Sequence, residues 1–264
     1  MAIAEQGRSH ADSEHPLATH REPRPVGLSV VVPARNEAAN VGALAHEIVG
    51  ALRGQLEFEM IFVDDASDDS SAQVLADLML AIPEMRVLRH RHRAGQSAAI
   101  RNGVRAARAQ WIATLDGDGQ NDPADLLKLI ARRRESDAAV KLFAGWRVDR
   151  HDSLSKRWAS RFANALRARL LHDGTPDTGC GTKLFERAAF LDLPYFDHMH
   201  RFLPALLQRD GWRTLSVPVT HRPRSAGRSN YNNLQRAWVG IGDLRGVAWL
   251  IRRAARAPVE EVSR

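Results

Sequence analysis

Apolar residues arrive along this chain as short continuous runs that alternate with helical stripes. Leu28–Val32 (LSVVV) is unbroken and ends at Pro33, the pattern of a strand buried on both faces of a parallel sheet. Val41, Leu44, Ile48, Val49 and Leu52 then share one helical face. Phe58–Val63 is a second strand, halted by Asp64-Asp65. Ser67 to Asp69 can cap a helix whose stripe is Val74, Leu75, Leu78, Met79 and Ile82. Met85–Leu88 reads as a short strand, Gly95–Arg108 as a helix despite Gly103, and Gln110–Leu115 as a fourth strand. Asp122-Pro123 starts a helix through Arg134, with proline in its first turn, and Ala138–Ala144 is a fifth strand.

This alternation predicts an α/β fold: an open, mostly parallel sheet with helices on both faces. Such sheets bind ligands outside the carboxyl ends of their strands. Three strand ends there carry chemistry: Pro33-Ala34-Arg35-Asn36-Glu37, Asp64-Asp65 and Asp116-Gly117-Asp118. After Arg150 the rhythm changes. Ser155–Leu171 reads as an amphipathic helix with Trp158, Phe162, Leu166 and Leu170 inward. A Gly/Thr-rich loop follows at Asp177–Lys183 (DTGCGTK), then a helix through Arg201–Gln208 and a strand at Trp212–Thr220. An arginine-rich loop ends at Tyr231, and Leu234–Arg256 is basic and apolar by turns.

Charge adds a second signal. Of the 264 residues, the last 64 carry 12 Lys/Arg against 4 Asp/Glu, whereas residues 1–200 carry 26 against 27. The net +7 therefore sits in the last quarter, which suggests an anionic partner: phosphates, a lipid surface or nucleic acid. Cys180 is the single cysteine, so no internal disulfide can form and a reducing compartment is expected. Met1–Pro25 is polar, rich in His and Pro, and expected to be disordered rather than a signal peptide. No run approaches the roughly 18 uncharged apolar residues of a membrane span.

The rim residues suggest a ligand class. Asp116 and Asp118, one glycine apart at a strand end, can share a hard divalent cation, and Mg²⁺ typically takes one or two carboxylates plus substrate phosphates. A polar turn with capping aspartates is the bland alternative. Asp65 can take donors from a base or ribose, or simply end its strand. Glu37 can bind a ribose hydroxyl, or begin its helix as a first-turn acid. Arg93 and Arg101 lie in RAGQSAAIRNG near the same rim, Arg101 being equally readable as a surface helix residue. Acidic strand ends beside arginines fit a nucleotide diphosphate held with a metal. Cys180 lacks a neighbouring base in sequence, and the histidines lack zinc-ligand spacing, His198 and His200 included.

VVPARNE, FVDDASDDS, the G-Q-S-A-A-x-R-x-G stretch and LDGDGQNDP together resemble the inverting family 2 glycosyltransferases with the GT-A fold. The likeness is to their dolichol-phosphate (polyprenyl-phosphate) mannosyltransferase-like subgroup and runs from Leu28 to Tyr231. It implies donor contacts from Pro33, Arg35 and Glu37, a base pocket at Val63 and Asp65, and a donor and metal loop of Asp116, Gly117, Asp118 and Gln120. It also implies an acceptor-phosphate arginine at Arg147, followed by the basic Lys156 and Arg157. Arg224 matches a loop arginine that closes over the donor diphosphate; Asn230 replaces a customary lysine there, with Arg228 supplying charge.

The expected domains are a tail at 1–26, a GT-A catalytic domain at 27–231 and a basic amphipathic segment at 232–264. The expected reaction moves a sugar from a GDP- or UDP-linked donor to a polyprenyl phosphate, with Mg²⁺ or Mn²⁺, at the cytoplasmic face of an inner membrane. Asp118 and Arg224 would stabilise the leaving diphosphate, and an ionised acceptor would need orientation by Arg147 rather than a base. A sugar hydroxyl of a glycolipid or polysaccharide is the alternative acceptor; it would need a base, for which Asp177 is the candidate. In the tail, Leu244, Val247, Ala248 and Ile251 repeat at helical spacing, as do Leu234, Trp238 and Ile241, beside Arg236, Arg245, Arg252, Arg253 and Arg256. These stripes can lie on an anionic bilayer, or pack on the domain or on a second copy of the chain. Nucleic-acid binding is suggested by the basic pI alone and lacks any recognition motif.

Overall fold

The computed structural model describes residues 26–148, 167, 170–223, 233–254 and 260, with side chains of the C-terminal helix described from Gly240. Met1–Pro25 lies outside these residues, as does the helix expected at Ser155–Leu171, apart from Arg167, Leu170 and Leu171. Lys156, Arg157, Arg224, Arg228, Asn230, Tyr231 and Arg256 also lie outside them, as do the side chains of Leu234, Arg236 and Trp238.

Seven strands form one sheet in the order β3-β2-β1-β4-β6-β5-β7. They are β1 (Leu28–Ala34), β2 (Phe58–Asp64), β3 (Met85–Arg89), β4 (Trp111–Thr114), β5 (Val140–Arg147), β6 (Lys183–Glu186) and β7 (Arg213–Val219). All run parallel except β6, which is antiparallel to β4 and β5. The helices are α1 (Ala38–Leu52), α2 (Ser71–Ala81), α3 (Gln96–Ala106), α4 (Asp125–Arg134), α5 (Arg187–Leu191), α6 (Leu203–Arg209) and α7 (Asn233–Arg252). A single 3₁₀ turn, Met199–Arg201, precedes α6. The expected mostly parallel α/β sheet is therefore present.

Strand alternation divides the core between the two faces. Val30, Val32, Met60 and Phe62 pack with Val41, Leu44, Ile48 and Leu75 of α1 and α2. Val31, Ile61 and Val63 pack on the other face with Ala99 and Val104 of α3, Phe190, Leu206 and the C-terminal helix. Both faces of β1 and β2 are dry, which is why those strands read as unbroken apolar runs. Gly103 is helical for a packing reason. A Cβ there would lie 2.4 Å from Val31 Cγ1, so glycine lets α3 approach β1 closely.

Helix α7 settles the destination of the tail's apolar stripe. Leu244 and Val247 are buried, and Ala248 and Ile251 pack against the same core. Arg209 Nε donates to the Leu250 carbonyl (3.1 Å), and His198 pairs with Asp243 (3.1 Å). The Leu244–Ile251 stripe, expected to meet a bilayer, the domain or a second copy of the chain, therefore meets the domain, whereas Ile241 of the other stripe is exposed. Beside the stripe, Ile241, Arg245, Trp249, Arg252 and Arg253 are exposed. Among the described residues, no helix is long and apolar enough to cross a membrane.

Candidate active site

The carboxyl ends of β1, β2 and β4 are joined by side chains that satisfy neighbouring backbones. Asn36 takes the left-handed conformation (φ 56°) and exchanges hydrogen bonds with Asp68: its amide donates to Oδ1 (2.5 Å), and its Oδ1 accepts from the Asp68 N–H (3.0 Å). The Glu37 N–H donates to Ser71 Oγ (2.9 Å). Arg35 reaches Asp68 at 3.8 Å, and its Nε is buried without a hydrogen-bond partner. The Glu37 carboxylate accepts from the Asn40 amide within α1 (2.6 Å).

Asp65 organises the entry to α3. It accepts the N–H groups of Ala94 (2.7 Å) and Gly95 (2.9 Å) and contacts His90 Nδ1 (2.7 Å). Burial works against its charge, but these donors outweigh burial and hold the carboxyl below the usual range. One expectation is corrected here. Val63 is fully buried beneath α3, so strand alternation turns it to the core and away from a base pocket. Arg101 lies with its guanidinium 4.6 Å above the Tyr195 ring, and its Nη1 is buried without a hydrogen-bond partner.

The Asp116-Gly117-Asp118 turn is the most constrained part of the rim. A Cβ on Gly117 would lie 2.9 Å from the Pro33 carbonyl oxygen, so the turn sits directly against the end of β1. The Asp116 N–H donates to Asn121 Oδ1, and its Oδ1 accepts from Gln96 Nε2 (both 2.9 Å). Asp118 is 9% exposed and accepts the Gln120 N–H (3.2 Å). Burial raises the Asp116 pKa, the charge of Asp118 raises it further, and Lys183 and Arg147 oppose both. Gln120 binds the backbone of Arg222 in both directions (3.0 and 3.4 Å). Asp122 accepts the Ala124 N–H (3.0 Å) as the start of α4 and pairs with Arg222 (2.8 Å). Buried Asp125 accepts the Thr220 N–H (2.6 Å). The chain leaving β7 is thus clasped to the acidic turn, immediately before the arginine-rich loop.

Across the turn, β5 ends at Arg147. Its Nε and Nη2 donate to the two carboxylate oxygens of Asp177 (2.7 and 2.9 Å), and Gly179 N–H adds a bond to Oδ1 (3.1 Å). Burial disfavours the guanidinium, but Asp177 outweighs it and raises the Arg147 pKa. The loop 177–183 then folds under Asp116. Thr114 Oγ1 donates to the Gly181 carbonyl (2.7 Å), and Lys183 Nζ donates to the Cys180 carbonyl. A Cβ on Gly181 would lie 2.2 Å from Asp116 Oδ2. Cys180 is a buried free thiol whose pKa is pushed up by burial, in keeping with a packing role.

Gln96, Gly181 and Lys183 are the rim residues that the sequence reading missed. Gln96 stood in the G-Q-S-A-A-x-R-x-G stretch, and the small residues of Asp177–Lys183 were the only signal for Gly181 and Lys183.

Among the described residues, no group of three or more His, Cys, Asp or Glu side chains converges to hold a metal. Asp116 and Asp118 form a two-carboxylate set. Burial and mutual repulsion disfavour the charge on Asp116, and a cation would relieve both. Such a pair fits a hard divalent ion that completes its shell with phosphate oxygens and water.

Comparison with known proteins agrees with this geometry. Residues 29–193 match the family described as Glycosyl transferase family 2. The chain is 34% identical over 239 residues to dodecaprenyl-phosphate galacturonate synthase of Rhizobium johnstonii, covering 87% of this chain and 68% of that protein. It is 30% identical over 208 residues to undecaprenyl-phosphate 4-deoxy-4-formamido-L-arabinose transferase of Edwardsiella ictaluri, covering 77% of this chain and 62% of that protein. The chain thus spans about two thirds of the length of these relatives.

Among solved structures, glucosyl-3-phosphoglycerate synthase from Mycobacterium tuberculosis, in complex with Mn²⁺, UDP and glucosyl-3-phosphoglycerate, superposes with a TM-score of 0.61 at 18% identity. That match covers 87% of this chain and 80% of the other. Mannosyl-3-phosphoglycerate synthase from Rubrobacter xylanophilus gives 0.64 at 18% identity, covering 86% and 75%. The sheet, its acidic β4 turn and these likenesses together show that the chain belongs to Glycosyl transferase family 2, with the GT-A fold.

Proposed function

We propose that the chain transfers a sugar, with inversion, from a nucleoside-diphosphate donor to a polyprenyl phosphate at a membrane surface, with Mg²⁺ or Mn²⁺. The supporting observation is the juxtaposition at one rim of the Asp116–Asp118 pair and the Arg147–Asp177 pair. The two relatives are named for work on dodecaprenyl and undecaprenyl phosphates, and the mycobacterial neighbour was crystallised with Mn²⁺ and UDP.

In this reading Asp118, backed by Asp116, holds the cation. When bound, the cation supplies positive charge to the departing diphosphate. Gly117 lets the turn approach the donor closely, and Pro33, Arg35, Glu37, Asp65 and Gln120 shape the nucleoside side. Arg224 and Arg228, which follow the clasped Arg222-Pro223, add charge on the diphosphate. Arg147 orients the acceptor phosphate, whose oxygen forms the new bond to the anomeric carbon as the bond from that carbon to the donor's phosphate oxygen breaks and the nucleoside diphosphate leaves intact. An ionised phosphate has no proton to remove, so positioning and charge supply the catalysis. A hydroxyl acceptor would need a base. Asp177 is poorly suited to that task, because both its oxygens already accept from Arg147.

The exposed side of α7 is the proposed peripheral contact with an anionic bilayer. Trp249 is 58% exposed beside Arg253, and Arg245 and Arg252 lie on the same side. Truncating the helix would remove buried Leu244 and Val247, so charge reversal is the better test. Arg245→Glu/Arg252→Glu/Arg253→Glu should abolish flotation with anionic liposomes, and retained flotation would reject this contact. For the reaction, purified protein is incubated with UDP- and GDP-sugars and a polyprenyl phosphate, with Mg²⁺, Mn²⁺ or chelator. Metal-dependent formation of a polyprenyl-phosphate sugar is expected. Absence of both transfer and donor hydrolysis with every donor would reject the proposal.

A further inference from the structure

Arg167 is a buried arginine to which the proposed chemistry gives no task. It is 7% exposed, and its guanidinium spans the turn that contains Asp177. Nη1 donates to Thr178 Oγ1, Nη2 donates to the Thr175 carbonyl, and Nε lies 3.4 Å from Asp173 Oδ2. Asp173, Thr175 and Thr178 are themselves buried. The start of the turn is held as well: Asp173 Oδ1 accepts the Thr175 N–H (3.3 Å), and Gln208 of α6 donates to the Asp173 carbonyl (3.0 Å). Burying a guanidinium carries a desolvation cost that an apolar side chain would avoid. An apolar side chain lacks a planar fork of donors that can hold acceptors on both sides of one residue. The residue enclosed here is Asp177, with Thr175 two positions before it and Thr178 next after it.

Asp177 has a geometric demand to meet. Arg147 Nε and Nη2 each take one of its carboxylate oxygens (2.7 and 2.9 Å), so a small rotation of Asp177 would break the bidentate pair. That pairing also fixes the direction of Nη1, the Arg147 nitrogen not engaged by Asp177. We propose that Arg167 is a positioning residue for the acceptor phosphate: by bridging Asp173, Thr175 and Thr178 it fixes the turn that presents Asp177 to Arg147, and so aims the Arg147 guanidinium. The inference rests on the function proposed above, in which Arg147 meets that phosphate. Arg167 acts through two intermediates, the turn and Asp177, and touches neither substrate. Its loss should therefore weaken the acceptor's hold and leave the donor's unchanged.

The test measures kcat and KM for polyprenyl phosphate and for the nucleotide-sugar donor in wild type, Thr178→Val and Arg167→Met, with thermal unfolding alongside. Thr178→Val keeps the shape of the side chain and removes the hydroxyl that Arg167 holds. Arg167→Met should raise the polyprenyl-phosphate KM about tenfold, the scale of one charge-assisted hydrogen bond, and Thr178→Val about threefold, while the donor KM stays within about twofold of wild type. A brace without this role lowers Tm and leaves both KM values alone, because the molecules that remain folded bind normally. An unchanged acceptor KM in Thr178→Val, or equal rises in KM for both substrates, overturns the proposal whether or not Arg167→Met folds.

A ligand-independent arm pairs Thr178→Val with Arg147→Met in a double-mutant cycle of urea unfolding. Arg147→Met should cost less stability in Thr178→Val than in the wild-type chain, because the Arg147–Asp177 pair is already misaligned there. Additive losses overturn the linkage. If wild type transfers no sugar to polyprenyl phosphate, the proposed function fails, while the cycle still decides whether Arg167, through Thr178, sets the Arg147–Asp177 pair.

Discussion

Gly181→Ala is a one-carbon probe of the candidate site. Its Cβ would meet the whole Asp116 carboxylate, at 2.2 Å from Oδ2, 2.4 Å from Cγ and 2.7 Å from Oδ1. Ordinary contact begins near 3.4 Å, so one side must retreat by roughly 1.2 Å. The carboxylate is short, held by Gln96 and attached to the end of a core strand. The 177–183 loop is pinned by Thr114 and by the Arg147–Asp177 pair. A shift of about 1 Å in a positioning group costs on the order of 10²-fold in rate, whereas overpacking costs about 1–3 kcal/mol of stability. Gly181→Ala should therefore lower metal-dependent sugar transfer about 100-fold while Tm falls by only several degrees. Gly42→Ala is the control: a Cβ there meets nothing within 4 Å, and alanine favours the helix by about 1 kcal/mol. Wild-type turnover in Gly181→Ala would refute the placement of Asp116 against this loop.

Three further outcomes are expected. Asp118→Ala should reduce turnover on the order of 10²-fold or more and abolish the difference between metal and chelator; full activity would remove the metal assignment. Gly103→Ala should lower Tm by several degrees, since a Cβ 2.4 Å from Val31 Cγ1 overpacks the α3–β1 contact by about 1–3 kcal/mol, more than the helix gains; an unchanged or higher Tm contradicts this. Glu59 is buried; burial tends to raise its pKa, but donors from Ser29, Arg108 and Arg86 prevail and lower it. Its folded pKa lies below the unfolded value of about 4.3, so its contribution is present above that pH and lost as pH falls through the folded value. Glu59→Gln should therefore destabilise at pH 7 but much less near pH 3 in urea melts. An equal loss at both would show that its charge contributes nothing.

β1, β2 and β4 were legible because each is a short, buried and mostly apolar run, and the helices between the strands because each carries one stripe. The same regularity placed Asp116, Asp118 and Asp65 at one rim. β6 was not legible. It is a four-residue segment with charged ends, Lys183 and Glu186, and it pairs antiparallel with β4, far away in sequence. Its loop could be read only as small and polar, so the charges it delivers beneath Asp116 stayed hidden. Val63 was misplaced for a different reason: motif position marked it as near the ligand, but period-two alternation turns it into the core. Helix α7 shows the limit of amphipathicity. Periodicity identified Leu244, Val247, Ala248 and Ile251 as one face, but not what covers it, and the core does.

The central claim is that the Asp116–Asp118 turn and Arg147 serve a phosphate acceptor without a base. It is tested most directly by offering wild-type protein and one nucleotide-sugar donor a choice of acceptors of equal chain length: a polyprenyl phosphate and the corresponding polyprenol. Products are read by mass spectrometry with Mg²⁺ or Mn²⁺ and with chelator. Sugar should appear on the phosphate alone, only with metal, and fall sharply in Arg147→Ala. Transfer to the alcohol at a comparable rate, or undiminished transfer in chelator, would contradict the account.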